Sequence, residues 1–260
     1  MPQNIALELA VQDQAGVRVA GAVGADRVEL AQALALGGLT PSPATLELAI
    51  AEAASVGVEV HVLVRPRAGG FHYDADELAV CELDVRRAVA AGADGVVIGA
   101  LDAAGALDLE AMARLRDAAG SASVTLHRAI DVTADPIATL RAARALGLRR
   151  VLTSGGASEA IDGIDTLREL VAAAEGAIEI MAGSGVTAAS ARLLADTGVD
   201  ALHFSAKRTV TQTGGVRMGS ASDGVGGYET TDLATAQELV GALARGVSRV
   251  CASTQVATAH

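Results

Sequence analysis

Short β-branched runs alternate along this chain with longer stretches of helix-type periodicity, and the changeover is punctuated the same way each time. Seven times a helical pattern ends at glycine and an apolar run starts a few residues on: Gly24 before Asp26–Leu30, Gly57 before Glu59–Val64, Gly92 before Val96–Ile98, Gly120 before Val124–Leu126, Gly147 before Val151–Thr153, Gly176 before Ile178–Ile180 and Gly198 before Ala201–Phe204. Glycine suits a helix C-terminus because it enters the left-handed conformation without a Cβ penalty. The opening run Ile5–Val11 brings the count to eight strands. Each interval is long enough for a crossover helix, which predicts parallel pairing. Asp135-Pro136 and Ser42-Pro43 each place an N-cap beside a first-turn proline, and Thr187 is placed to cap a helix running to Asp196.

Eight such units predict an α/β fold of the (β/α)8 TIM barrel type, with an open doubly wound sheet as the alternative. Glycine and proline are spread evenly, so no linker divides the chain. The expectation is one barrel domain over 1–245 and a loosely held tail over 246–260, with Thr209–Gly227 as a long loop after the eighth strand.

The chain has 260 residues, 51% of them hydrophobic, yet no run approaches the roughly 18–20 apolar residues of a membrane span. The N-terminus lacks the basic and apolar segments of a secretory signal, so a cytoplasmic protein without membrane association is expected. A net charge of −11 repels a phosphodiester backbone and argues against nucleic acid. Cys81 and Cys251 form neither a CxxC pair nor a disulfide framework.

In a barrel of this kind, polar residues near the C-terminal strand ends face the site. Glu8 and Glu29 fall late in the first two strands. Arg65 ends the third with Arg67 beyond it, and His127 and Arg128 end the fifth with Asp131 next. Thr153 and Ser154 end the sixth, and His203 and Ser205 end the eighth. Alternation places Glu8 with Ala6, and Glu29 with Arg27, on one face. Glu8, Glu29, His127 and Asp131 are therefore the acid–base candidates. Arg65, Arg67, Arg128, Ser154, His203 and Ser205 are candidate substrate contacts, while the opposite strand ends are expected to carry few charges. The alternative is structural, for instance Glu29 paired with a neighbouring arginine. A Ser154–His127–Asp131 relay is less economical than a Glu with a His. All four Phe and Tyr residues, Phe71, Tyr73, Phe204 and Tyr228, map near the same rim. The turn Met181–Thr187 offers Gly183 and Gly185, with Lys207, as donors to a phosphate or other oxyanion. No spacing among His61, His72, His127 and His203 marks a metal site.

Several segments together are similar to those of the CutC family: Gly24-Ala25-Asp26-Arg27-Val28-Glu29-Leu30, Gly37-Gly38-Leu39-Thr40-Pro41-Ser42, Arg65-Pro66-Arg67 with Gly69-Gly70-Phe71, His127-Arg128-Ala129 with Asp131, Val151-Leu152-Thr153-Ser154-Gly155 and Met181-Ala182-Gly183-Ser184-Gly185-Val186. They run from Glu8 to about Lys207. The resemblance implies a cytoplasmic barrel, commonly a homo-oligomer (dimer or tetramer), tied by its naming to copper homeostasis and, in some members, to Cu(I) binding. Those members carry cysteines just after the glutamate matching Glu8, where this chain has Leu9-Ala10-Val11. Cu(I) prefers soft sulfur ligands, so that site is missing here. The second reading, from the residues themselves, is an enzyme or binder acting at the rim on a small anionic, phosphorylated or polyhydroxylated molecule.

Overall fold

The computed structural model of the protein describes residues 5–211 and 227–253. Eight parallel strands close into a barrel in sequence order, and β8 hydrogen-bonds back to β1. They are β1 (Ala6–Val11), β2 (Arg27–Leu30), β3 (Glu59–Leu63), β4 (Gly95–Ile98), β5 (Ser123–Leu126), β6 (Arg150–Thr153), β7 (Glu179–Gly183) and β8 (Ala201–Phe204). The outer helices are α1 (Gln14–Val23), α2 (Pro43–Val56), α3 (Ala75–Ala90), α4 (Leu109–Ala119), α5 (Pro136–Ala145), α6 (Ile164–Ala174), α7 (Ala191–Ala195) and α8 (Leu233–Ser253). All seven predicted glycines have positive φ, from +59° at Gly120 to +99° at Gly92, so each turns the chain from helix toward strand.

Alternation along the strands separates two environments. Val28, Val60, Val62, Val96, Ile98, Leu126, Val151, Ile180, Leu202 and Phe204 belong to one buried apolar cluster with the helix residues Val17, Ala49, Val85, Met112, Leu140, Leu167 and Leu194. The alternate residues form small apolar groups of their own, Ala31 with Leu63 and Val97, and Leu152 with Met181 and Ala201. Among them sit the buried polar side chains Glu8, Arg27, Glu29, His61, Thr125 and Arg150. At the N-terminal strand ends, Asp26, Asp94 and Asp200 each precede a strand and accept the backbone N–H of the strand before, from Leu7 at 2.8 Å, Val60 at 2.9 Å and Ile180 at 2.8 Å. Arg149 takes the corresponding place before β6 and pairs with Glu179 at 2.9 Å.

Two sequence expectations are corrected. The loop read over Thr209–Gly227 begins and ends as an antiparallel hairpin, β9 (Lys207–Thr211) with β10 (Gly227–Thr231), tied to the barrel by Gln12 Nε2 donating to Glu229 O at 3.3 Å. The rest of that segment lies outside the described residues. Helix α8 packs against α1 and α7 and runs to Ser253, and 254–260 lie outside the described residues. Thr187 accepts from Ser190 N at 3.3 Å, but the turn it closes precedes a helix of only five residues.

Candidate functional site

Strand register builds the site. Glu8 on β1 stands directly beside Arg27 on β2 and His203 on β8. Arg27 Nε donates to Glu8 Oε2 at 2.6 Å, and His203 Nδ1 lies 2.7 Å from Glu8 Oε1. The other ring nitrogen of His203, Nε2, is 3.7 Å from Glu29 Oε2. Arg27, Glu8, His203 and Glu29 thus form a connected polar column inside the barrel. Glu29, Leu63, Arg65, Phe71, His127, Arg128, Leu152 and His203 line a cavity of about 270 Å³ at the C-terminal rim.

The charges in this column are tuned by their neighbours. Burial alone would raise the Glu8 carboxyl, but the His203 hydrogen bond and the charges of His203 and Arg27 outweigh it and hold Glu8 well below the usual carboxylate range. Glu29 goes the other way, pushed up to about 7 by burial and by Glu8, with His203 opposing. His203 is raised above the ordinary imidazole value because Glu29 and Glu8 outweigh its burial. His127 is pushed down to about 3, chiefly by burial and then by the Arg65 charge, so its ring is neutral.

Arg65 is 7% exposed and pairs with no carboxylate among the described residues. Its guanidinium donates to the carbonyls of Leu36 and Gly38, both at 3.0 Å, and of Gly69 at 2.7 Å, pinning the loops after β2 and β3. Its Nε has no hydrogen-bond partner among the described residues. Phe71 bridges the guanidinium, 5.4 Å away, and the His127 ring, 4.6 Å away.

Other sequence candidates are committed elsewhere. Asp131 accepts from Thr153 Oγ1, Ser154 N and Oγ, Gly156 N and Arg128 Nε, so its carboxylate ties the loops after β5 and β6 together. Ser154 Oγ donates to Ala157 O at 2.6 Å, and His127 makes no hydrogen bond to either residue; no Ser–His–Asp relay forms. Arg128 lines the cavity while bracing Asp131 and Ser154. Arg67 pairs with Glu77 and lies over Tyr73, within the loop leading to α3. Lys207 is paired with Glu229 at 2.8 Å on the hairpin, and Ser205 is exposed. Gly183 packs against Leu152 and His203, and a Cβ on Gly185 would lie 2.7 Å from Glu159 Cγ. The turn after β7 therefore lies against an acidic side chain. Of the four aromatics only Phe71 lines the cavity: Phe204 faces the helices, Tyr73 is buried in the outer core and Tyr228 is exposed on β10.

The opposite barrel mouth also departs from expectation. A larger cavity, about 1120 Å³, is lined there by Asp26, Arg27, Glu59, Asp94, Arg149, Arg150 and Glu179. Arg150 and Arg149 both pair with Glu179 there, and Arg27 pairs with Glu8. The sequence pattern underrated this end because Arg27 and Arg150 follow directly on turn residues. The same strand alternation that located Glu29 also locates them.

Comparison with known proteins decides the family. The CutC family profile matches residues 5–208. The chain belongs to the CutC family. A family protein CutC from Xanthomonas axonopodis pv. citri (strain 306) is 44% identical over 238 residues, 91% of this chain and 98% of that one. Another, from Xylella fastidiosa (strain 9a5c), is 42% identical over 252 residues, 95% of this chain and 92% of that one. The crystal structure of the Streptococcus agalactiae protein, described there as a copper homeostasis protein CutC, superposes with a TM-score of 0.74 at 33% identity, covering 76% of this chain and 97% of that one. Among the described residues no helix is long and apolar enough to cross a membrane.

The family name raises the question of copper, and the donor set answers it. Cu(I) takes soft sulfur ligands. The described sulfurs are dispersed: Cys81 is buried in α3 with its thiol pushed up to about 12 by burial, Met112 is buried in α4, and Met181 Sδ lies 3.5 Å from Arg27 Nη2. No group of three or more His, Cys, Asp or Glu among the described residues is placed to hold a metal ion. The residues at the rim do not fit Cu(I).

Proposed function

We propose that this CutC-family barrel is an acid–base enzyme acting on a small anionic molecule in the C-terminal rim cavity. One observation carries the reading: Arg65 brings a buried positive charge, with no carboxylate partner among the described residues, into the same cavity as Glu29 and His203. A buried charge is costly unless paired. A bound anion supplies the missing partner. Glu29, poised to about 7 by burial, is matched to giving and taking a proton near neutrality. His203 stands behind it, oriented by Glu8, and Arg27 holds Glu8 in turn. Leu63, Leu152 and Phe71 form the apolar wall.

A thermal-shift screen of carboxylates, inorganic phosphate and sugar phosphates tests the binding half. A ligand at about 100 times its dissociation constant adds about 2.7 kcal/mol of stability and raises the melting temperature. Arg65→Met, which keeps a long apolar stem against Phe71, is expected to abolish that rise. The reading is lost if no anion shifts the transition, or if the shift is the same without the guanidinium.

A further inference from the structure

Charge compensation at Arg65 leaves a second feature of the cavity unexplained. His127 Nδ1 accepts the backbone N–H of Ala129 at 3.1 Å, which puts the ring proton on Nε2. Nε2 is buried and has no hydrogen-bond partner among the described residues, although His127 lines the cavity. The ring occupies space that only glycine leaves open: a Cβ on Gly99 would stand 2.3 Å from His127 Cε1 and 2.5 Å from Nδ1. A neutral N–H donor and an uncompensated guanidinium thus share one aromatic neighbour, Phe71. Two acceptor groups side by side on one ligand, one of them anionic, would satisfy both. Among the described residues the Glu29 carboxylate accepts no side-chain hydrogen bond, with His203 Nε2 3.7 Å away, so it is available to the ligand.

From this geometry we propose that the substrate is a small 2-oxo carboxylate, its carboxylate toward Arg65 and its carbonyl oxygen on His127 Nε2–H, with Glu29 as the base at the adjacent carbon. The inference rests on the acid–base reading above and gives it a substrate class. In the step, the C–H bond at carbon 3 breaks and its proton moves to the Glu29 carboxylate. The electron pair becomes the C2–C3 double bond while the carbonyl π pair moves onto oxygen. The enolate oxygen keeps the His127 hydrogen bond, and a neutral imidazole is suited to that task because it stabilises developing charge without giving up a proton first. Return of the proton from Glu29 restores the oxo acid. A phosphate dianion fits less well, since Glu29 lines the same cavity and the other arginine there, Arg128, is already paired with Asp131. The volume of about 270 Å³, roughly nine waters at about 30 Å³ each, accommodates a short-chain oxo acid.

The test uses 2-oxobutyrate and 4-hydroxy-2-oxobutyrate with the intact protein in D2O, following the carbon-3 proton signal by NMR. Exchange above the buffer rate is expected, reduced at least about 100-fold in Glu29→Gln and at least about 10-fold in His127→Phe. Melting curves of Glu29→Gln with 2-oxobutyrate show that the variant is folded and still binds. Butyrate, which lacks the carbonyl, is expected to bind about 10-fold or more weakly. An Arg65-dependent melting shift without exchange overturns the oxo-acid proposal and leaves anion binding standing, as does exchange that survives Glu29→Gln. Absence of any anion-induced shift removes the acid–base reading itself.

Discussion

At the scale of single residues, the site is a set of side chains whose ionisation is decided by what surrounds them. Glu29 in the folded protein holds its proton up to about pH 7, against an ordinary value of 4.5. As pH rises between those values, an unfolded chain releases this proton while the folded one retains it, so this residue makes the fold less stable with rising pH. Glu29→Gln removes the titration and leaves Glu8 in place for His203. The variant is expected to gain melting temperature over the wild type as pH goes from about 5 to about 8, measured by calorimetry across that range. A constant difference between the two proteins would show that Glu29 ionises normally. The sequence made Glu8, Glu29, Arg65, His127 and His203 legible, because strand alternation and position at a strand end are local properties. It did not reveal that Asp131, Ser154 and Arg67 are saturated, since the donors and acceptors that occupy them arrive from other loops. The Nε2 of His127, unpaired among the described residues, was equally hidden, being the product of Gly99 just past β4 and a backbone N–H two residues on.

At the scale of elements, the eight βα units were readable because each carries its own boundary, a glycine that must take positive φ where helix gives way to strand. Where that local grammar fades, the reading failed: a segment rich in Gly, Ser and Thr looks like loop whether or not its ends pair as β9 and β10. A finer device joins neighbouring units. Asp26, Asp94 and Asp200 precede β2, β4 and β8, and each locks the first turn of its strand to the backbone of the preceding one. These bonds lie at the N-terminal edge, far from the rim cavity, so they concern stability and register. Asp94→Ala is expected to cost about 0.5–1.5 kcal/mol in urea unfolding, the worth of one hydrogen bond, with ligand binding unchanged. The equivalent changes at Asp26 and Asp200 should add to it, because the three sites share no partners. A single substitution that shifts binding at the rim would mean that the two ends of the barrel are mechanically coupled.

At the scale of the whole molecule, the barrel differs from one filled only by branched apolar side chains. Its interior carries a polar column from Arg27, at the N-terminal mouth, through Glu8 and His203 to Glu29 at the rim. Apolar residues such as Leu63, Val97, Leu152 and Met181 fill the space beside it. Such a column is expensive to bury, and a closed barrel tolerates it only while every charge is compensated. The compensation is cooperative: His203 and Arg27 together hold Glu8 ionised, Glu8 orients His203 and favours its charged form, and His203 opposes the burial that raises Glu29. Arg27→Met leaves Glu8 with one partner in place of two and is expected to destabilise the fold by about 3–5 kcal/mol. Adding Glu8→Gln to that variant removes the stranded charge, so the double variant should be less destabilised than the sum of the two single variants by about 1–3 kcal/mol. Additive effects in that cycle would mean that Arg27 and Glu8 are anchored independently, and that the column does not transmit charge from one mouth of the barrel to the other. A large coupling would show that Arg27 and Glu8 act as one unit, the first link of the chain that runs through His203 to Glu29.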